Sequence, residues 1–390
     1  NNTTGAENTA MGNYALDANT TGAYNVAMGV HALGANTTAN YNVGLGYQAL
    51  AATTTGDQNV AVGYNALDAN TTGAGNVAIG QNAAGVNTTG AGNVAIGQNV
   101  LDANTTGGNN VAVGRDAMSA NTTATDNVAL GYQALTACTT SGANVAIGSF
   151  AGDSVTTGDA RLVAIGFRAC EDTVTAVANT GVGQYALQNA VEGYNVGMGA
   201  YAGDKITTGQ TNVCLGYGAD TSASSSNNQI AIGGSVNGNA DNSLCFGAGT
   251  TDSAIAFGAT SITAPSDIRL KEDIQDEVVG LDFINELRPV TFRWKKEKDV
   301  PEDMVAHGQG SEERVMNGKY NHGFVAQEVK EVIDNTPDLK EGFDMWTEDD
   351  VDGRQRIGEG SLIPMLVKSI QELSAEVEDL KKKAHDKCSN

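Results

Sequence analysis

The chain has 390 residues, enough for two or three domains, and a formal net charge of -23 at pH 7. Residues 1–265 carry 4 Lys/Arg against 16 Asp/Glu, and residues 266–390 carry 18 against 29, which argues against nucleic acid as a partner. No apolar run reaches the roughly 18 residues of a membrane span. We therefore expect no membrane span. The five cysteines lack metal-ligand spacing, so we also expect no metal and no cofactor.

A 17-residue repeat dominates residues 1–260. Its unit reads Asn-Val-Ala-Ile-Gly-x-x-Ala-Leu-x-Ala-Asn-Thr-Thr-Gly-x-x. The glycine that closes the Asn-Val-Ala-Ile-Gly segment recurs sixteen times, mostly in steps of 17 residues. These glycines are Gly12, Gly29, Gly46, Gly63, Gly80, Gly97, Gly114, Gly131, Gly148, Gly166, Gly183, Gly199, Gly216, Gly233, Gly247 and Gly258.

Each repeat contains two short apolar pieces separated by turn residues. In the first piece, the alternation of Val77, Ala78 and Ile79 is typical of a strand with Val and Ile on one face and Ala on the other. We expect Val and Ile to point inward, and the second piece, such as Ala49-Leu50, to form a second strand with an inward Leu. Asn-Thr-Thr-Gly is turn chemistry. Residues 1–260 are therefore predicted to be an all-β parallel β-solenoid with two strands in each coil.

The coil has a narrow core, and the small Ala face is expected to pack closely against another chain. The most economical assembly is a homotrimer, because three narrow cores are then buried together. The Asn-Val-Ala-Ile-Gly repeats resemble the head repeats of trimeric autotransporter adhesins, which form a trimeric parallel β-roll. The period here is longer, and only the step from Gly233 to Gly247 is as short as 14 residues.

Three roles are open for this solenoid: a stiff spacer, a receptor-binding or glycan-binding surface, or an ice-binding surface. Tyrosines recur beside the strands, but at different positions of the repeat, so we predict no continuous aromatic stripe. The paired threonines, such as Thr71-Thr72, are adjacent in a turn and cannot both face one side of a strand. No carboxylate pair recurs at one position, which argues against a glycan-degrading site in the repeats.

After residue 265 the repeat stops and the sequence predicts mixed short elements. Leu281 to Leu287 is typical of an amphipathic helix that ends before Pro289. Residues 290–294 and 322–326 alternate as strands, and residues 327–334 form a short helix. The acidic residues 348–353 with Glu359 imitate a calcium loop. Glu348 at the first position and the two nearby arginines argue for a solvated acidic loop instead.

The last segment, about residues 364–383, is predicted to be a coiled-coil helix. Its apolar residues are spaced four, three, four and three apart, as in a heptad repeat. Ile and Val at one core position with Leu at the other favour two strands in isolation, yet the symmetry of the solenoid favours three. The residues of this seam are Leu366, Ile370, Leu373, Val377 and Leu380.

The junction, residues 261–265, leads to Ser266, and Lys271 follows five residues later. From the residues alone, Ser266-Asp267 is typical of a helix cap. Two residues five apart lie on opposite sides of a strand and far apart on a helix. Ser266 and Lys271 can therefore meet only across a turn, which the Pro265-Ser266-Asp267 stretch is able to provide.

Residues 266–390 resemble the C-terminal intramolecular chaperone domain of phage tailspikes, tail fibres and endosialidases. The matching segments are Ser266 to Ile274, Gly323 to Val329, and Leu362 to Leu366 running into Ile370 to Leu373. The resemblance implies a domain that trimerises the chain and then cuts itself off. It also implies cleavage of the Pro265–Ser266 bond, with Ser266 as nucleophile and Lys271 as base.

This resemblance implies a virion protein, a phage tail fibre or tailspike, with a host surface glycan or receptor and other virion tail proteins as partners. The only catalysis expected is a single-turnover self-cleavage. A lysine acts as a base near neutral pH only when burial or a cationic neighbour lowers its pKa. The alternative interpretation is a bacterial trimeric surface adhesin located outside the cell.

Overall fold

The computed structural model describes residues 2–156, 161–174, 178–249, 251–258, 268–316, 318–337, 339, 345–348 and 353–388. It divides into two compact units, Asn1–Ser266 and Asp267–Asn390. The first unit is a parallel β-solenoid and the second is a small α+β unit that ends in a long helix. The predicted fold class is confirmed for both units. Within the described residues no helix is long and apolar enough to cross a membrane.

The solenoid is one 16-stranded sheet in which consecutive strands are neighbours. Adjacent strands pair in parallel with the register of the repeat, so that Val77 lies opposite Val94. Strands β1 to β13 have three residues each: Thr9–Met11, Val26–Met28, Val43–Leu45, Val60–Val62, Val77–Ile79, Val94–Ile96, Val111–Val113, Val128–Leu130, Val145–Ile147, Val163–Ile165, Thr180–Val182, Val196–Met198 and Val213–Leu215.

Three longer strands follow at the end of the sheet: β14 (Gln229–Gly234), β15 (Ser243–Ala248) and β16 (Thr251–Ala256). Strands β14 and β15 continue the parallel pairing, whereas β15 and β16 are antiparallel. The reversal at β16 therefore ends the succession of parallel strands at the junction side of the solenoid.

Each regular coil has one strand, so the prediction of a second strand is wrong. The second apolar piece runs through turns in which Asn65 and Leu67 have φ angles of 52° and 51°, in the left-handed region. It still bonds to the next coil, because the Leu67 amide donates to the Ala83 carbonyl at 3.0 Å. The side chain of Leu67 is fully buried, as predicted.

The strand faces are the reverse of the prediction. Ala78 is fully buried, whereas Val77 is partly exposed and Ile79 is 40% exposed. The reason is the narrowness of the coil. At Gly44, which replaces the central Ala, an added Cβ would lie 3.1 Å from the Ala49 carbonyl oxygen on the opposite wall. Only a small side chain fits between the strand and that wall, so the larger Val and Ile side chains point outward.

Buried asparagines bond each coil to its neighbours. The Asn76 amide donates to Asn59 Oδ1 at 2.9 Å, and Asn76 Nδ2 donates to the Gly90 carbonyl at 2.9 Å. A second row repeats this pattern, with Asn87 Nδ2 donating to Asn70 Oδ1 at 3.1 Å. These bonds satisfy polar groups that are out of contact with water, which makes the asparagines compatible with a buried position.

The second unit contains the elements α1 (Leu281–Glu286), β17 (Val290–Phe292), β18 (Asn321–Gly323), α2 (Ala326–Asp334), β19 (Trp346–Glu348), β20 (Gln355–Ile357) and α3 (Leu362–Cys388). Single 3-10 turns lie at Ile268–Leu270, Glu297–Asp299 and Glu359–Ser361. The predicted helices, strands and final helix of this half are confirmed, with ends that shift by a few residues. Strands β17 and β18 form an antiparallel pair, as do β19 and β20.

A small core holds the second unit together. Phe283 of α1 and Val329 of α2 are buried in one cluster with Leu362 and Met365 from the start of α3. The α3 residue Glu372 accepts a hydrogen bond from the Leu281 amide at 2.8 Å. This bond satisfies an amide at the first turn of α1, which otherwise has no partner inside a helix. The first three turns of α3, Leu362 to Glu372, are thereby fixed to the rest of the unit.

Candidate functional site

The predicted cleavage residues are only partly covered by the structure. Pro265 and Ser266 lie outside the described residues. Lys271 follows the 3-10 turn Ile268–Leu270, and its backbone amide donates to the Ile268 carbonyl at 3.2 Å. The geometry between Ser266 and Lys271 therefore stays a prediction. The Lys271 side chain is exposed in the single chain, so this chain alone does not bury it as a lysine base requires.

A charged contact joins the two short helices of the second unit. Arg288, just after α1, donates through Nε to Glu328 Oε2 at 2.9 Å and through a second nitrogen to Oε1. This two-point hydrogen bonding lowers the pKa of Glu328 below its usual value. Both side chains face solvent, so the ion pair contributes little to the free energy of folding. Its main effect is to hold Arg288 and Glu328 in a fixed relative position.

The heptad seam of α3 is exposed in the single chain. Leu362 and Met365 are buried against α1, but Ile370 is 64% exposed and Leu380 is 63% exposed. A continuous row of large apolar side chains in water is characteristic of an association surface. The geometry agrees with the coiled coil that the heptad spacing predicts.

The solenoid carries a second row of apolar side chains that are partly exposed, here called the outward stripe. It consists of the first and third residues of each regular strand, such as Val94 and Ile96. Among strands β5 to β12, the side chain of the stripe with the largest exposed fraction is Met198 at 47%, followed by Ile79 at 40%. The prediction assigned the chain–chain contact to Ala, but Ala is inside the coil. The outward stripe is the apolar surface that remains for such a contact.

Aromatic side chains form a continuous column over six coils, so the prediction that no such stripe exists is wrong. Ring centroids of successive members are 5.2, 6.2, 5.5, 5.1 and 6.0 Å apart. The members occupy two adjacent repeat positions, the first and second residues after the strand glycine, and long side chains from both positions reach one side. We call this set the aromatic column: Tyr132, Phe150, Phe167, Tyr185, Tyr201 and Tyr217.

The threonine pairs present a single exposed row. The Thr71 hydroxyl donates to the Thr88 carbonyl of the next coil at 3.1 Å, and the same bond recurs at Thr88 and Thr105. Only the second threonine of the pair, such as Thr72, is exposed. The first hydroxyls therefore bond coils together and are not part of a flat surface that could order water.

The sequence predicts no metal ion and no cofactor, and it predicts that the calcium-loop-like residues 348–353 form a solvated acidic loop. In the part of the chain that the structure describes, no group of three His, Cys, Asp or Glu side chains is placed to hold a metal ion. Residues 349–352 of the acidic loop lie outside the described residues. The cysteines at core positions, among them Cys170 and Cys214, are fully buried, and burial raises the pKa of both thiols to about 12. Cys214 and Cys245 stand where most repeats have the central Ala of the strand, as the sequence indicates, whereas Cys170 stands at the Leu position.

Comparison with known families gives one match, in the region after the solenoid. A family model described as the chaperone of endosialidase matches residues 266–337. The match begins at Ser266 and includes α1, β17, β18 and α2. The predicted chaperone domain and the predicted repeats are thus supported by the match and by the solenoid. No curated protein and no solved structure that was compared matches this chain.

Proposed function

We propose that this chain belongs to a phage tail fibre or tailspike, in which the solenoid is a homotrimeric shaft and residues 266–390 are its assembly chaperone. The observation that carries the proposal is the match of residues 266–337 to the chaperone of endosialidase, directly after the last repeats. In this role the protein is a virion component whose shaft contacts a host surface and other tail proteins. A bacterial surface adhesin is the alternative, favoured only by the resemblance of the repeats.

Two exposed apolar surfaces support the homotrimer. The outward stripe runs along the solenoid and the α3 seam runs along the final helix, and both are uncovered in the single chain. Three copies of the chain would cover both surfaces at once. Burial of apolar area contributes about 25 cal/mol per Å², so many small contacts along a long shaft sum to a stable assembly.

The repeat gives a physical reason for a chaperone. Moving one chain by 17 residues against its neighbours preserves nearly every apolar contact of the outward stripe, so the shaft does not specify its own stagger. Bringing long chains together also costs conformational entropy. A C-terminal domain that associates first fixes both the number of chains and their alignment.

In the proposed cleavage, Ser266 Oγ attacks the Pro265 carbonyl carbon while Lys271 Nζ accepts the hydroxyl proton. The peptide bond breaks, the Ser266 nitrogen leaves as an amine after protonation, and the acyl group remains on Oγ as an ester. Water then hydrolyses the ester and restores the serine hydroxyl. Because Lys271 is exposed in the single chain, we expect the dyad to form only in the assembled trimer, where a neighbouring chain buries the lysine.

Expression of the full chain beside Ser266→Ala tests the cleavage. The wild type is expected to give two fragments on a denaturing gel, with the second beginning at Ser266, whereas Ser266→Ala gives one band. Lys271→Gln is expected to slow cleavage strongly, and Ser261→Ala, five residues upstream, is the matched control that cleaves normally. A single full-length band from the wild type, once it is trimeric, would contradict the proposed cleavage and leave the assembly role intact.

A further inference from the structure

The aromatic column differs in chemistry from the outward stripe. Three of its rings are well exposed: Phe167 at 39%, Tyr201 at 36% and Tyr217 at 64%. Successive ring planes are nearly perpendicular at four of the five contacts, with Tyr185 and Tyr201 closer to stacked at 26°. The column thus presents rings, with hydroxyls on four of them, at intervals of one coil.

A row of hydrogen-bonding side chains runs beside the column. Asp153, Glu171, Gln188 and Asp204 each follow an aromatic residue of the column by three or four positions, one in each successive coil. All four are partly exposed, and Gln188 Nε2 donates to Glu171 Oε2 at 2.6 Å. The surface therefore combines a line of rings with a parallel line of carboxylate and amide groups.

The basic residues of the solenoid are concentrated in the same coils. All four Lys/Arg of residues 1–265 lie between positions 115 and 205. Arg115 lies over the Tyr132 ring at 4.5 Å, and Arg168 lies over Phe150 at 5.3 Å. Each of these arginines also contacts a carboxylate of its own chain, at 3.5 Å from Arg115 to Asp116 and 3.4 Å from Arg168 to Glu171. The cations are thus compensated internally, and a polyanionic ligand would meet additional carboxylates.

We propose that the aromatic column and its polar row bind a linear, uncharged glycan of hexopyranose units that lies along the shaft. The apolar face of a pyranose packs on an aromatic ring, and its hydroxyls bond to carboxylate and amide groups. The interval between rings is close to the length of one pyranose unit in an extended chain. This inference rests on the proposed role as an attachment shaft and assigns that role to coils β8 to β13.

Binding of the trimer formed by the expressed full chain, whether or not it is cleaved at Pro265–Ser266, to a printed panel of purified, uncharged bacterial surface polysaccharides tests the proposal. The variant Tyr201→Ala/Tyr217→Ala removes two exposed rings of the column. The matched control Tyr24→Ala/Tyr41→Ala removes a different pair of exposed tyrosines, which are stacked with centroids 4.9 Å apart, at a different repeat position. We expect the wild type and the control to bind at least one polysaccharide, and the column variant to bind it at least about tenfold more weakly.

Three results would overturn the glycan proposal: no binding by an intact wild-type trimer, equal binding by the column variant, or a changed oligomeric state of that variant. The last would identify the column as a chain–chain contact. If the double variant does not fold, Tyr217→Leu at the most exposed ring takes its place. Failure of the wild type to form a trimer would count against the proposed function itself, so the two failures are distinguishable.

Discussion

At the residue scale, the solenoid depends on positions where no side chain fits. Gly80 closes a strand with φ of 138°, and an added Cβ would lie 2.2 Å from the Gly97 carbonyl oxygen of the next coil. The strand glycine therefore combines a left-handed conformation with close backbone contact between coils. Gly75 has φ of 69°, but no atom lies within 4 Å of an added Cβ.

Gly80→Ala is expected to lower the free energy of unfolding of the shaft by at least about 2 kcal/mol, because strain and overlap with the next coil add together. The matched substitution Gly75→Ala adds only the strain of a positive φ, so it is expected to lower the free energy of unfolding by about 1 kcal/mol. Thermal or denaturant unfolding of the two variants measures the difference. Equal losses would show that contact between coils is not what selects glycine at position 80.

Asp220 is a buried acid near the end of the solenoid. Its side chain is 3% exposed, accepts a hydrogen bond from the Thr221 amide at 2.8 Å, and lies 3.6 Å from Lys205 Nζ. Burial raises the pKa of Asp220 to about 6, although the Thr221 bond and Lys205 oppose the rise. The folded state therefore binds this proton more tightly than the unfolded state, whose Asp pKa is about 3.9.

The sign of the pH effect follows from this difference in pKa. Below about pH 4, the burial of Asp220 lowers the free energy of unfolding only slightly. The loss grows as the pH rises to about 6 and is constant above that. Asp220→Asn is expected to raise the free energy of unfolding by about 2 kcal/mol at pH 7.5 and to leave it nearly unchanged at pH 4. Unfolding curves at both pH values check this. A gain of the same size at both would contradict the titration of Asp220 as the cause.

At the element scale, the strand is a three-residue unit whose inner and outer faces have different functions. The inner Ala permits the narrow coil, and the outer Val and Ile are partly exposed and available for the proposed association. The α3 helix shows the same division along its length, since Met365 is buried within the unit whereas Ile370 and Leu380 are exposed. In both elements the exposed apolar residues are regular enough to form one continuous surface.

Val94→Asp/Ile96→Asp is expected to weaken association of the shaft while the coil keeps its strand structure. Each substitution removes apolar burial of about 1.5–3 kcal/mol per chain and places a charge in the interface. Sedimentation would report the loss of trimer and circular dichroism the retained strands. Thr106→Asp, an exposed residue of the same coil, is the control and should remain trimeric. An unchanged trimer from the double variant would show that another face mediates association.

At the scale of the whole molecule, a repetitive shaft is followed by a unit of different composition. The internal register of each chain is fixed by its own backbone bonds, but nothing in a 17-residue repeat distinguishes one stagger between chains from the next. Fixing the stagger therefore requires residues outside the repeats. The chaperone match at residues 266–337 follows the repeats directly in the sequence, as the proposed assembly role requires.

A chain that ends at residue 265 is expected to form heterogeneous assemblies with staggered chains, whereas the full chain gives one trimeric species. Deletion of one repeat, residues 81–97, from the full chain is the control and should still give a uniform trimer, because all three copies shorten equally. Mass photometry of the three proteins measures the distribution of species. A uniform trimer from the truncated chain would show that the shaft sets its own register.

Sequence alone predicted the solenoid, its period, the buried Leu of each repeat and the elements α1, β17, β18, α2 and α3, but not β19 and β20, because the predicted features follow from local spacing and turn residues. Tertiary structure decided which strand face is inside, since that depends on the space to the opposite wall, where a Cβ added at Gly44 would lie 3.1 Å from the Ala49 carbonyl oxygen. It also decided that aromatic residues at two repeat positions, such as Phe167 and Tyr185, share one column. Both outcomes depend on how closely the folded coils bring groups together in space, and periodicity carries no information about those distances.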